Sequence, residues 1–190
     1  MNVSLRKLAE SDTANIVLWR NAEDVKRWLF SQDEVTEEMH LRWFHDKVEP
    51  GFCAQYIINL EEEERRIDIG TTFIKRKDLT SELGEFGIFI GEPSAKGKHC
   101  ALPATKNMLR IGFNELKLDR IFLEVFSDNI PAIKTYLHAG FRKTGENEYI
   151  KDKEKIVYTM EINKVEFLAG GGKIYVVLVP SFGYNKLMAA

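Results

Sequence analysis

GEPSAKGKHCALPATKNMLRIGFNEL, residues 91 to 116, places a short run of glycine and lysine directly before an amphipathic helical segment. The first turn of a helix carries backbone N–H groups without intrahelical acceptors, together with the positive end of the macrodipole. A loop of this composition at that position therefore offers a seat to an anion. Phe86 to Ile90, just upstream, reads as an apolar strand, so the order strand, loop, helix is that of a phosphate-binding turn. Two nucleotide signatures are missing from this stretch: there is no lysine followed by serine or threonine as in a P-loop, and no GxGxxG. Pro103 falls in the first helical turn, where an absent N–H costs little. On these residues alone, a solvated basic turn capping a helix remains an equal alternative.

Downstream, Arg120 to Phe126 alternates as a strand, and Asn129 to His138 reads as a short helix with Pro131 near its start and Gly140 as its stop. Phe141 begins a further strand. Lys96-Gly97-Lys98-His99-Cys100-Ala101 followed by Asn129, Ala132, Tyr136 and Gly140-Phe141 resembles the cofactor half of the GNAT acetyltransferase superfamily. The family pattern is Arg or Gln, two residues, Gly, one residue, then Gly or Ala. Here Lys96 takes the first place and His99 stands where glycine is usual, adding a Cβ where backbone approaches a diphosphate. The resemblance covers roughly residues 1 to 165 and is strongest from 85 to 145.

That resemblance implies an α/β (α+β) fold, a mixed and strongly twisted sheet flanked by helices, in a domain over residues 1–165. It implies acetyl-CoA as co-substrate, used in direct transfer without a metal. Lys96, Gly97, Lys98, His99, Cys100 and Ala101 would hold the diphosphate. Asn129 and Ala132 would meet the lower arm, Tyr136 the thioester sulfur, and backbone of Phe89 and Ile90 the carbonyl oxygen.

The N-terminal half carries Arg20-Asn21, then Trp28-Leu29-Phe30, then His40-Leu41-Arg42-Trp43-Phe44. This block resembles acetyltransferases of nucleotide-linked amino sugars, above all the flagellin-modifying family of the pseudaminic acid pathway. The resemblance implies that Arg20, Leu29, Phe30, His40 and Trp43 line the acceptor pocket. Arginine binds a diphosphate bidentately, histidine donates to phosphate, and aromatic faces stack on a base or sugar. Without the resemblance, Trp28, Phe30 and Trp43 read as core residues at helical spacing.

N-acetylation needs an acceptor for the amine proton and a donor for the departing thiolate. Tyr136 is the candidate acid, since a phenol titrating near ~10 suits a thiolate leaving group. Glu124 is the candidate base, with Glu85 on the neighbouring strand as competitor, and Thr71 could hold a water or the amine. These assignments depend on register, because a one-residue slip moves a side chain to the other sheet face.

Earlier in the chain, Val3 to Leu8, Gln55 to Leu60 and Ile67 to Lys75 read as strands, with Glu61 to Arg66 as a solvated hairpin tip. Ser11-Asp12 opens a helix through Arg20, and Asn21 to Leu29 and Thr36 to Val48 read as two more. The formal charge of −2 does not fit a protein relying on a basic surface to bind nucleic acid. No window is apolar enough to span a membrane, and MNVSLRKLAESD lacks a signal-peptide core, so a cytoplasmic location is expected. Cys53 and Cys100 form no CxxC pair and suggest neither a disulfide framework nor a zinc site. Residues 166–190 read as an extension. Gly170 to Gly172 form a joint and Lys173 to Pro180 a strong strand former, an added edge strand or one exchanged in a homodimer. Related acceptors that stay open are a protein N-terminus and a polyamine, and a non-catalytic acyl-CoA-binding module is the reading of another class.

Overall fold

The computed structural model describes residues 2–62 and 65–171. β1 (Asn2–Lys7), β2 (Cys53–Glu62), β3 (Arg65–Arg76) and β4 (Leu83–Ile90) form an antiparallel run. β5 (Arg120–Phe126) follows in the sheet, then β7 (Asp152–Asn163) and β6 (Arg142–Tyr149), giving the order β1-β2-β3-β4-β5-β7-β6. Among the described residues this is a seven-stranded mixed sheet flanked by helices, the architecture that the resemblance implies. β4 and β5 are its one parallel pair among the described residues, and they pair only from Leu83↔Arg120 to Glu85↔Phe122. Past those rungs β4 runs on to Ile90 and β5 to Phe126 unpaired with each other, so the sheet opens between them.

Period-two alternation sends the apolar side chains of these strands to two separate cores. On one face Ile74, Phe86, Ile121, Leu123 and Val125 meet α4 (Ala101–Asn114) and α5 (Ile130–Ala139) through Met108, Leu109, Phe113, Tyr136 and Ala139. On the other face Ile57 and Phe89 meet Ile16 and Trp19 of α1 (Thr13–Asn21) and Phe44, which follows α3 (Glu37–Trp43). Each fully buried side chain of this size contributes roughly 1.5–3 kcal/mol, which anchors both helical layers to the strands that border the opening.

Three expected elements differ. The helix expected over Asn21 to Leu29 shrinks to α2 (Glu23–Lys26), because Ala22 is extended at ψ 132° and interrupts it. The Asn21 side chain instead exchanges two hydrogen bonds with the Val35 backbone, Nδ2 to O at 2.7 Å and N to Oδ1 at 3.0 Å. The helix expected over Thr36 to Val48 becomes α3 followed by a π-turn, Phe44–Val48. The acidic hairpin is tighter than expected, with strand structure reaching Glu62 and resuming at Arg65.

After β7, Asn163 and Glu166 form a reciprocal capping box that starts α6 (Lys164–Ala169). Phe167 of that helix is buried, its ring 5.2 Å from Phe113. The boundary expected between 165 and 166 thus falls inside a helix packed on the domain. The strand expected over Lys173 to Pro180 lies outside the described residues.

Candidate active site

The opening between β4 and β5 leads into a cavity of about 640 Å³. Its wall takes residues from both sheet faces: Tyr136, Asn129 and Ala132 from α5 and its cap, Phe73, Lys75, Glu85, Gly87 and Glu124 from the strands, and Arg20, His40 and Trp43 from the opposite helices. Trp28, Leu29 and Phe30 close one side, and Phe89, Ile90 and Ala101 border the end nearest α4.

Tyr136 reaches the opening from the α5 side. It is buried, its ring meets Phe86 edge-on at 6.0 Å and Phe141 at 6.0 Å, and its hydroxyl bonds to no side chain or backbone group among the described residues. Burial pushes the phenol above its ordinary value, so it stays protonated throughout the neutral range. Glu124 reaches the same cavity from β5 and is exposed, with no ion pair among the described residues. Glu85 also lines the wall, but Lys75 Nζ holds its Oε1 at 2.9 Å. The Glu85 carboxylate is thus engaged by Lys75, whereas Glu124 faces the cavity with no such partner among the described residues.

Thr71 lies below the cavity rather than on its wall. It is 1% exposed, its hydroxyl donates to the Tyr56 carbonyl at 2.8 Å, and its oxygen accepts from Gln55 Nε2 at 3.2 Å. Gln55 Oε1 in turn accepts from Trp43 Nε1 at 3.3 Å. Thr71 thus steadies Gln55 and Trp43, while Gln55 and Phe73, not Thr71, line the cavity wall.

Arg20 lines the wall, but its guanidinium donates to the Ser31 and Asp33 carbonyls at 3.1 Å each. Burial lowers its pKa, with Asp33 acting in the other direction. These bonds tie down the segment that carries Trp28, Leu29 and Phe30, so Arg20 is occupied in a way that the diphosphate role did not anticipate. His40 is likewise enclosed. Its Nδ1 lies 3.0 Å from Thr13 Oγ1, and its Nε2 is buried without a hydrogen-bond partner among the described residues. Burial lowers its pKa against the pull of Asp12, leaving a neutral ring at pH 7, which is a weaker phosphate ligand than an imidazolium. Phe30 packs on Phe126 at 4.8 Å and Tyr149 at 5.7 Å, and Tyr149 donates its hydroxyl to the Phe30 carbonyl.

The loop before α4 is built to receive an anion with its backbone. Gly97 stands at φ 76° and His99 at φ 58°, and the space beside Gly97 is open. The amides of Gly97, His99 and Cys100 donate to no backbone carbonyl among the described residues. Successive free N–H groups at a left-handed turn form an anion nest, so the residues fit a diphosphate. Lys96 pairs with Asp24 and Lys98 with Glu62 at 2.7 Å, so both ammonium groups are shared with carboxylates. Of the six loop residues only Ala101 lies on the cavity wall, while Cys100 is buried against the core. Asn129 caps α5, its Oδ1 accepting from Ala132 N at 3.3 Å, and presents that helix start to the cavity.

Phe73, Lys75, Gln55 and Trp28 line the wall without having been singled out as site residues. Phe73, Lys75 and Gln55 sit within apolar or mixed strand runs, and only strand pairing brings them to the opening. Trp28 stood beside the expected pair, in a segment that reads equally as core.

The description "Acetyltransferase (GNAT) domain" matches residues 2–142. An N-acetyltransferase 9-like protein of Nematostella vectensis is 30% identical over 94 residues, 50% of this chain but only 46% of that protein. Acetyltransferase PseH of Campylobacter jejuni is 27% identical over 73% of this chain and 84% of its own. The spermidine N(1)-acetyltransferase of Vibrio cholerae is 26% identical over 87% of this chain and 95% of its own. A crystal structure of spermidine N-acetyltransferase from that bacterium, with CoA and spermine, superposes at TM-score 0.77 and 21% identity over 87% of this chain and 98% of the other. With a family match over most of its length and this fold around an open β4–β5 pair, the chain belongs to the GNAT acetyltransferase family, a family of acyltransferases.

Proposed function

We propose that this protein transfers the acetyl group of acetyl-CoA directly to the primary amine of a nucleotide-linked amino sugar. The observation that carries the chemistry is the position of Tyr136 and Glu124 on opposite sides of one opening in the sheet. Acetyl-CoA supplies an activated acyl group as a thioester. The amides of Gly97, His99 and Cys100 fit its diphosphate, and the unpaired edge of β4 from Phe86 to Ile90 offers N–H groups to the acyl oxygen. In transfer the C–N bond forms and the C–S bond breaks. Glu124 takes the proton that the amine sheds, and the Tyr136 hydroxyl gives one to the departing sulfur. Holding both reactants in one opening of the sheet supplies much of the rate by orientation.

The acceptor side is walled by Trp28, Phe30, Trp43 and Phe73. Aromatic faces suit a sugar or a base, which agrees with the likeness to PseH. A polyamine acceptor has its own support in Asp24, Glu85 and Glu124 on the same wall and in the Vibrio cholerae relative. Two of those three carboxylates are neutralised by Lys96 and Lys75, which leaves little field for a chain of several cations. The deciding experiment compares CoA release with UDP-4-amino-4,6-dideoxy-N-acetyl-β-L-altrosamine, spermidine and an alanine-terminated peptide. Preferred turnover of the sugar nucleotide supports the proposal, and preferred turnover of spermidine or the peptide replaces the acceptor while keeping the chemistry.

A further inference from the structure

Phe73 of β3 stands opposite Gly87 of β4 and Gln55 of β2, and all three lie on the cavity wall. The Phe73 ring lies flat across Gly87. A Cβ added there would come within 2.2 Å of Cζ and 2.6 and 2.7 Å of the two Cε atoms. No residue larger than glycine fits at 87 with the ring where it is. Lys75 Nζ sits 5.0 Å from the ring centroid while bonded to Glu85, a further contact on the ring. Gly87 belongs to the stretch of β4 that has parted from β5, so the ring lies beside the opening that Glu124 borders.

The other aromatic walls come from outside the sheet. Trp28 and Phe30 belong to the connection between α2 and α3, and Trp43 to a helix end. Phe73 differs, because β3 is hydrogen-bonded to strands on both sides and its ring cannot retreat through the sheet. We propose that Phe73, seated on Gly87, is a specificity-determining residue: it is the rigid floor of the acceptor side and sets how bulky a carrier can be while its amine reaches Glu124. This rests on the cavity being the acceptor site, but not on which amine is native.

The test measures kcat/KM for a series of primary amines of increasing bulk around the amino carbon, from short linear amines to amino sugars and a nucleotide-linked amino sugar. Phe73→Leu and Phe73→Ala should raise the ratio of the bulkiest to the smallest amine by about tenfold or more, and Gly87→Ala should lower it similarly by pushing the ring into the cavity. The double variant Phe73→Ala/Gly87→Ala should return toward the wild-type ratio, and the KM for acetyl-CoA should stay within about twofold in both single Phe73 variants. An unchanged or lowered ratio in Phe73→Leu and Phe73→Ala overturns the proposal, as does an equal shift in the acetyl-CoA KM. The Phe73 pair decides the matter even where Gly87→Ala fails to fold. Failure of the sugar-nucleotide reading shows earlier and separately, as wild-type preference for another amine, and the ratio is then taken over the amines that the wild type accepts.

Discussion

Tyr136 and Phe86 meet edge to face, their centroids 6.0 Å apart and their planes at 85°, and this contact joins α5 to the first strand of the opening. The packing uses the ring and leaves the hydroxyl to the cavity. Tyr136→Phe therefore removes the proposed proton donor while keeping the aromatic contact. Turnover should fall about 100-fold or more, with acetyl-CoA affinity unchanged within about twofold. Isothermal titration with acetyl-CoA alongside steady-state kinetics separates the two effects, and unchanged turnover removes Tyr136 from the chemistry.

His99 holds φ at 58°, in the left-handed region that side chains with a Cβ occupy at a cost. His99→Gly should relieve about 1 kcal/mol of backbone strain and raise Tm by about 2–4 °C. His99→Val should lower Tm, because a β-branched residue suits that conformation least. Differential scanning calorimetry reads both, and a lower Tm in the glycine variant would show that the imidazole makes a compensating contact.

Buried His40 gives stability a defined pH dependence. Its folded pKa lies below the unfolded value of about 6.5, so below that pH the unfolded chain binds more protons than the folded one. The contribution is therefore complete above about pH 6.5 and is lost as the pH falls through the folded value. Exposed His45, raised chiefly by its hydrogen bond to Glu49, acts with the opposite sign, and Asp12 loses its own contribution only in the more acidic carboxylate range. Thermal melts between about pH 7.5 and 5 should show a falling Tm that is flatter in His40→Gln. An equal slope in the variant would place the titrating group elsewhere.

The elements from the loop before α4 to the end of α5 are legible because their signals are local. The loop, the Asn129 cap, the Gly140 stop and Tyr136 lie in one continuous stretch, and their roles depend on turn and helix-end geometry that neighbouring residues set. The acceptor half depends on what lies across the chain. Arg20 reads as a free guanidinium until its partners, the carbonyls 11 and 13 residues later, are known. Thr71 is expected from the resemblance to hold a water or the amine, but its depth depends on Gln55 from another strand. Phe73 carries no mark in sequence, because its position follows from the register that sets it on Gly87.

Asn129 ties the cap of α5 to the cavity. Asn129→Ala should cost about 1 kcal/mol by removing the acceptor for the Ala132 amide. Because that helix start borders the cavity, the KM for acetyl-CoA should rise several-fold while Asn129→Asp retains most of the affinity. Urea melts and acetyl-CoA titrations check the two halves, and an unchanged KM would leave Asn129 a purely structural cap.

Direct transfer across the opening is the central claim, and the fate of a labelled acetyl group tests it most directly. The protein is mixed with acetyl-CoA radiolabelled in the acetyl group, with and without a primary amine, and the label is followed on protein and amine while free CoA thiol is measured. The account predicts CoA release that depends on the amine, label on the amine alone, and loss of both in Tyr136→Phe. Label retained on the protein, or CoA released at the same rate without any amine, would contradict it.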